Sequence, residues 1–188
     1  MELYQTWYQP ISNDVLKRAR AIKLLICDID GVFSDGLIYM GNQGEELKTF
    51  NTKDGFGIKA LMNAGVEVAV ITGRSSKIVN DRMSSLGVKY IYQGMEDKVT
   101  GFSQLLNDLK LLPEQIAYIG DDYPDAPVML KAGLAVSVAD GHPYIKQIAH
   151  LVTSLNGGRG AVRELTDLLI MSQKGESYIT QNVAGTSS

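Results

Sequence analysis

The stretch KLLICDIDGVFSDG, Lys23 to Gly36, decides the fold. Four apolar residues, Leu24, Leu25, Ile26 and Cys27, run straight into Asp28 and Asp30, and a glycine closes the turn. A run that is apolar at every position, not at alternate ones, suits a strand covered on both faces. Such a strand brings two carboxylates to its carboxyl end and holds them there.

The same rhythm repeats along the chain. The strand-like run VEVAVI leads into Thr72-Gly73-Arg74, and IAYI leads into Gly120-Asp121-Asp122. Helical segments stand between: one from Asn13 through Arg20, one opened by Asp54 and ended by Gly65, one opened by Ser75 and ended by Gly87. Others run through Leu109, end at Gly133 and follow Pro143, while VKYIY, LAVSV and a segment near Leu151 add strands. Gly65 and Gly87 suit left-handed helix caps. Continuous apolar strands alternating with helices predict an α/β fold, a Rossmann-like parallel sheet flanked by helices.

One stretch breaks the alternation. LIYMGNQGEELKTF places two extended segments around Gly41-Asn42-Gln43-Gly44, which predicts a β-hairpin flap over about residues 36–50. Near the end, NGGRGAVRELTDLLIM reads as a glycine turn feeding an amphipathic helix. The expected organisation is a single domain over residues 1–173 and a polar tail over 174–188 that lacks the apolar residues for a core.

Composition limits the function. With 188 residues, 45% of them hydrophobic, the chain supports one sizeable core. A net charge of −3 with scattered basic residues argues against a general nucleic-acid or anionic-membrane surface. The single cysteine, Cys27, lies in an apolar run and reads as a core residue, in keeping with a reducing compartment. No charged-then-apolar leader opens the chain and no long apolar run interrupts it, so a soluble, cytoplasmic protein is expected. His142 and His150 read as turn or structural residues, and Tyr4, Trp7 and Tyr8 as packing for the first helix.

In an open parallel sheet all carboxyl ends lie on one edge, where ligands of such folds bind. Asp28, Asp30, Asp121 and Asp122 therefore converge. Two like charges about 4 Å apart repel by roughly 4 kcal/mol at an effective dielectric of 20, so the cluster calls for a cation. An all-oxygen set without His or Cys favours Mg²⁺ over Zn²⁺. Free N–H groups in the glycine turns, the Thr72 hydroxyl and the Lys98 ammonium suit an anion, most simply a phosphate. Two carboxylates separated by one residue then suggest an aspartyl-phosphate mechanism. Asp28 is the nucleophile, and Asp30 protonates the leaving alkoxide before deprotonating water.

Together DIDGVFSDG, ITGR, Lys98 and GDDYPD resemble the four motifs of the haloacid dehalogenase-like phosphatases, in order from Lys23 to Val138. That resemblance implies Mg²⁺ held by Asp28, the carbonyl of Asp30 and Asp121, with Thr72 and Lys98 on the phosphoryl group. Asp122 and Asp125 resemble the outer acids that orient metal-bound water. The stretches from Asp30 to Thr72 and from Lys98 to Asp121 are too short for a cap domain. Substrate selection therefore falls to a flap, a neighbouring subunit or a docked partner.

A closer likeness covers nearly the whole chain. GLIYMGNQGEELKTFNTKDGFGIK, YQG, VADGHP and GGRGAVRE resemble the capless 3-deoxy-D-manno-octulosonate 8-phosphate phosphatase family. The resemblance implies a small sugar-acid phosphate as substrate, a step toward the lipopolysaccharide inner core and a homotetramer built on the hairpins. It assigns substrate contacts to Asn51, Thr52, Lys53, Asp54 and Gly55, with cations at Lys59, Arg74, Arg82 and Lys98. Lys53 and Lys59 stand where relatives carry arginine, which keeps charge but loses bidentate geometry. Arg159, between glycines, is expected to reach a neighbour's substrate from a flexible loop. Two rivals remain at this stage: a phosphatase of a nine-carbon sialic-acid-type sugar phosphate, and a phospho-signalling receiver.

Overall fold

The protein is described by a computed structural model over residues 3–43 and 46–184. A short antiparallel pair, β1 (Leu3–Gln5) and β2 (Pro10–Ser12), precedes α1 (Asn13–Ala21), whose first turn is capped by Ser12 accepting from the Val15 N–H. Next comes β3 (Leu24–Cys27), then a two-residue-stranded ribbon, β4 (Tyr39–Met40) with β5 (Glu46–Leu47). The ribbon is the hairpin read from the sequence. Its turn residue Gly44 lies outside the described residues.

The remaining chain alternates: α2 (Thr52–Asn63), β6 (Glu67–Ile71), α3 (Lys77–Leu86), β7 (Tyr90–Tyr92), α4 (Lys98–Leu109), β8 (Ile116–Gly120), α5 (Ala126–Met129), β9 (Leu134–Ser137), α6 (Pro143–Ile148), β10 (Leu151–Val152), α7 (Ala161–Lys174) and α8 (Glu176–Ala184). Asn51, not Asp54, caps α2 by accepting from the Lys53 N–H, and Ser76 holds the cap position of α3. Gly87 ends α3 in the left-handed conformation, at φ 90°.

Six strands form one sheet in the order β10-β9-β8-β3-β6-β7, every pair parallel. From the central β3 the chain winds outward through β6 and β7, then crosses back to β8 on the other side. That reversal opens a crevice at the carboxyl ends of β3 and β8. Alternate residues of β3 feed two cores: Leu25 and Cys27 join α1, α2, α3 and α7 on one face, while Leu24 and Ile26 join α4, α5 and α6 on the other. All four are fully buried, at about 1.5–3 kcal/mol for each large side chain, so the strand that carries Asp28 is fixed from both faces.

Two regions differ from the sequence expectation. The segment from residue 174 was expected as a polar tail, yet Glu176–Ala184 is helical, with Ile179 buried, Tyr178 packed on the core and Glu176 accepting from the Trp7 indole. Ile179 and Tyr178 suffice to dock its first turns because α7 already presents a face to receive them. The last residues, 185–188, lie outside the described ones. At the other end the β1–β2 hairpin turns Tyr8 inward, and its hydroxyl donates to Asp167 Oδ2 of α7 at 2.8 Å. Between β3 and β6 the described residues hold only the ribbon and α2, leaving no domain over the crevice. No helix among them is long and apolar enough to cross a membrane.

Candidate active site

Asp28 follows β3 directly. Its N–H donates to the Ile119 carbonyl at 3.1 Å, so the ladder between β3 and β8 continues one residue and fixes the carboxylate at the crevice. Thr72, at the end of β6, is held the same way: its N–H donates to Tyr92 and its carbonyl accepts from Met95. Lys98 opens α4 and is 5% exposed, while Asp121 follows β8. With Asp30, Gly36, Gly73, Arg74, Asp122, Pro124 and Asp125 these residues line a cleft of ≈ 300 Å³. Asp28, Asp30, Thr72, Arg74, Lys98 and Asp121, from four separate stretches of sequence, thus meet in one place.

A buried acid organises the floor. Asp125 Oδ1 accepts from Lys98 Nζ at 2.7 Å and from the Tyr118 hydroxyl at 2.6 Å, while Oδ2 accepts the N–H groups of Asp121 and Asp122. Gly120 makes room for it, since a Cβ there would fall 2.5 Å from the Asp125 side chain. Lys98 Nζ also stands 3.0 Å from Asp28 Oδ1, an ion pair off the hydrogen-bond line. Asp122, by contrast, is exposed and accepts from the Tyr123 N–H at the start of a short turn.

Electrostatics follow from this crowding. Burial first, then the charge of Asp125, push the Asp28 carboxyl up to about 7 against the opposing pull of Lys98. Asp121 is raised to about 8, by burial and then by Asp125, Asp28 and Asp122. Burial works to lower the Lys98 ammonium, but Asp28 and Asp125 outweigh it and raise it above the ordinary 10.5. Lys98 therefore stays charged.

The donor set fits a hard divalent cation. Carboxylate oxygens of Asp28, Asp121 and Asp125 lie within 4.8 Å of one another, and Asp28 Oδ1 is buried without a hydrogen-bond partner. Gly31, at φ +87°, leaves a space beside Asp121 that a Cβ would fill, standing only 2.1 Å from Oδ2. Both Asp125 oxygens are already engaged, so Asp28 and Asp121 are the carboxylates free to hold the ion. Mg²⁺ suits such an all-oxygen site.

Apart from Arg74 and Lys98, the cations and polar groups expected on the sugar acid do not line the cleft. Asn51 caps α2, Thr52 and Lys53 are exposed in its first turn, and Lys59 is exposed further along it. Asp54 is 1% exposed, accepts from the Arg163 N–H at 2.8 Å and is pushed up to about 6 by burial, against backbone N–H groups of Arg163 and Gly160. Within its own subunit the Asp54 carboxylate ties α2 to α7. The Arg82 guanidinium lies over Gly55, 2.5 Å from where a Cβ would stand.

Arg159 is also placed differently. Its guanidinium pairs with Asp35 of the same chain at 3.3 Å. The glycines before it are wedged, not loose. A Cβ on Gly157 would lie 1.7 Å from the Gly31 carbonyl, and Gly158 donates its N–H to Val32 at 2.8 Å. Close backbone approach, not flexibility, is what these glycines serve.

Two further residues, Tyr118 and Lys48, support the site without a motif to announce them. Tyr118 carries the one polar hydroxyl in the buried run IAYI, and gives it to Asp125. Lys48, just after the hairpin, bonds Asp30 Oδ1 through its Nζ, with the side chain 1% exposed. His142 and His150 accept from backbone N–H groups of Tyr144 and Ala135, as the structural reading expects.

Known proteins were compared against this geometry. A family model described as haloacid dehalogenase-like hydrolase matches residues 90–165. The 3-deoxy-D-manno-octulosonate 8-phosphate phosphatase of Yersinia pestis is 55% identical over 168 residues, covering 89% of this chain and 90% of that protein. A crystal structure of that phosphatase from Yersinia pestis superposes with a TM-score of 0.92 at 53% identity, covering 94% of this chain and 95% of that one. The Moraxella catarrhalis phosphatase, solved with a magnesium ion, a phosphate ion and KDO, gives a TM-score of 0.88 at 38% identity, over 90% and 98% of the two chains. Likeness of this extent leaves no separate fold or long insertion to account for, and the chain belongs to the 3-deoxy-D-manno-octulosonate 8-phosphate phosphatase family of haloacid dehalogenase-like hydrolases.

Proposed function

We propose that this chain hydrolyses 3-deoxy-D-manno-octulosonate 8-phosphate to 3-deoxy-D-manno-octulosonate and phosphate through an aspartyl-phosphate on Asp28. The observation that carries the reading is the meeting of Asp28, Thr72, Lys98 and Asp121 in one cleft, with Asp30 at its rim. Asp28 attacks phosphorus in line, and the bond to the sugar oxygen breaks. A proton held on Asp30 goes to that oxygen, so the alcohol leaves neutral. Asp30, now a carboxylate, takes a proton from water as the water attacks the aspartyl-phosphate, and phosphate and free Asp28 result. The Thr72 hydroxyl and the Lys98 ammonium hold phosphoryl oxygens throughout. The carboxylates of Asp28 and Asp121 with the carbonyl of Asp30 would hold Mg²⁺. When bound, it supplies positive charge that offsets repulsion between the Asp28 carboxylate and the phosphoryl oxygens.

The carboxylate end of the substrate needs cations beyond Lys98, and Arg74 at the cleft rim is the nearest candidate. Lys53, Lys59, Arg82 and Arg159 lie outside the cleft of their own subunit, so any contact from them is with a substrate that extends past the rim or sits in a neighbour. A homotetramer is supported by the ribbon, where Leu37, Ile38, Tyr39, Met40 and Leu47 are 42–75% exposed. A contiguous apolar surface of this kind marks an interaction site. We place the reaction in the cytoplasm, supplying the sugar acid of the lipopolysaccharide inner core.

A substrate panel with Mg²⁺ tests the reading. The eight-carbon sugar-acid 8-phosphate should give the highest kcat/KM, ahead of a nine-carbon sialic-acid-type 9-phosphate and a hexose 6-phosphate. A preference for the nine-carbon ester would overturn the assignment.

A further inference from the structure

We propose that Lys48, carried into the cleft by the ribbon, is the positioning residue for the general acid Asp30. Lys48 follows β5 immediately. The apolar side chains around it, Tyr39, Met40 and Leu47, are 47%, 75% and 64% exposed, whereas the Lys48 side chain is 1% exposed and bonds Asp30 Oδ1. A lysine loses side-chain freedom when fixed, so its burial on a solvent-facing ribbon calls for contacts that hold it. Asp30 supplies one of them.

The arrangement divides the two Asp30 oxygens. Oδ1 is taken by Lys48, while Oδ2 stands 3.9 Å from Arg74 Nε, at the rim of the cleft. With Oδ1 pinned, the carboxyl plane is fixed and Oδ2 is the oxygen that carries the proton to the departing alkoxide. Asp30 sits in the turn after β3 and has no helix or ladder to set its side chain, unlike Asp28. Lys48 supplies the missing constraint from a different part of the chain. The balance of the step is unchanged: the phosphorus–oxygen bond breaks, the Asp30 proton moves to the leaving oxygen, and Lys48 keeps its own protons.

This inference rests on Asp30 acting as the acid, and leaving-group dependence separates the two ideas. The comparison uses kcat/KM, which stops at departure of the alcohol and so leaves out the later base step of Asp30. A sugar alkoxide needs a proton to leave; 4-nitrophenolate does not. Lys48→Met should lower kcat/KM on the sugar-acid phosphate by about tenfold to a hundredfold, within the roughly 10²–10⁴-fold that general acid catalysis supplies, and change it less than about threefold on 4-nitrophenyl phosphate. Lys48→Arg, which keeps a donor, should recover a large part of the loss and stands in should the Met variant fold poorly. Combined with Asp30→Asn, Lys48→Met should add no further loss, because the group it positions is already gone.

Equal losses on both esters, full activity of Lys48→Met on the sugar-acid phosphate, or multiplying losses in the double variant would each overturn the role of Lys48. If Asp30→Asn itself loses equally on both esters, the acid assignment fails instead. A wild-type chain that cleaves other alkyl phosphates but not the sugar-acid 8-phosphate breaks only the substrate reading, and the same comparison then runs on the alkyl ester it does cleave.

Discussion

The carboxyl edge of the sheet and the β4–β5 ribbon meet at Asp30 and are built in opposite ways. At the edge, Asp28 and Thr72 are held by backbone ladders, and Asp125 ties Lys98, Tyr118 and two backbone N–H groups together beneath them. The ribbon has strands of two residues and shows solvent the apolar side chains that a sheet would bury. Every large buried side chain at the edge strengthens one geometry; the ribbon has little of its own to fix it. The groups proposed for phosphoryl chemistry are thus set within a single chain, whereas the ribbon presents an apolar surface that suits the proposed assembly.

The sharpest way to break this contrast is at the nucleophile. Asp28→Asn should lower kcat by roughly 10⁴-fold or more, with an unchanged circular-dichroism spectrum, because an amide cannot attack phosphorus. Turnover near wild type would remove the edge from the chemistry altogether.

Next in size is Asp125→Ala. It leaves the buried Lys98 ammonium with Asp28 alone and the Tyr118 hydroxyl without its acceptor, and urea unfolding should show a loss of about 3 kcal/mol. A loss below about 1 kcal/mol, the size of a surface substitution, would mean the edge is not held by this acid.

The metal-free protein should show the strain of the cluster as a pH dependence. Asp28 and Asp121 titrate at about 7 and about 8 in the folded chain against an ordinary 3.8, so the folded state keeps protons that the unfolded chain has released. Stability is then full near pH 4, falls as the pH rises, and has lost this contribution past about 8. Added Mg²⁺ needs both groups ionised. Its stabilisation, about 2.7 kcal/mol at a hundred times Kd, should be larger at pH 8 than at pH 6 in melting experiments with chelator and with Mg²⁺. A metal-free protein that gains stability between pH 5 and 8 would contradict the burial of these acids.

The smallest effect on the subunit belongs to the ribbon. Met40→Lys should leave the unfolding free energy within about 0.5 kcal/mol. Sedimentation should nevertheless show smaller species, since the charge falls on the face proposed for assembly. Unchanged assembly would shift the interface away from the ribbon.

Sequence and structure agree most closely where one physical rule acts alone. Leu24 to Cys27, Val68 to Ile71 and Ile116 to Ile119 are apolar at every position, so they read as covered strands, and the acids and Thr72 at their ends follow. The ribbon was legible from its turn residues. Lys48 was not, because a lysine after a hairpin looks like any solvated charge until its direction is known. Asp125 was read as an outer acid from GDDYPD; nothing in that string reveals that Gly120 lets it fold back under the strand. Asp54 and Arg159 have intrachain partners, Arg163 and Asp35, that their sequence neighbours do not reveal. A polar residue beside a site motif can face the site or tie neighbouring elements together, and only packing decides. The β1–β2 pair and α8 escaped because three-residue strands and a short, mostly polar helix carry almost no periodic signal.

The close seating of Gly157 and Gly158 against Gly31 and Val32 bears on when the protein becomes an enzyme. The loop that carries Asp30 is completed by backbone from beyond β10, and Gly158 closes it with a hydrogen bond to Val32. During synthesis every acid of the cluster leaves the ribosome before this wedge does. A nascent chain that stops short of residue 157 carries Asp28, Asp30, Lys98 and Asp121 but lacks the backbone that Gly157 and Gly158 seat against the Asp30 loop.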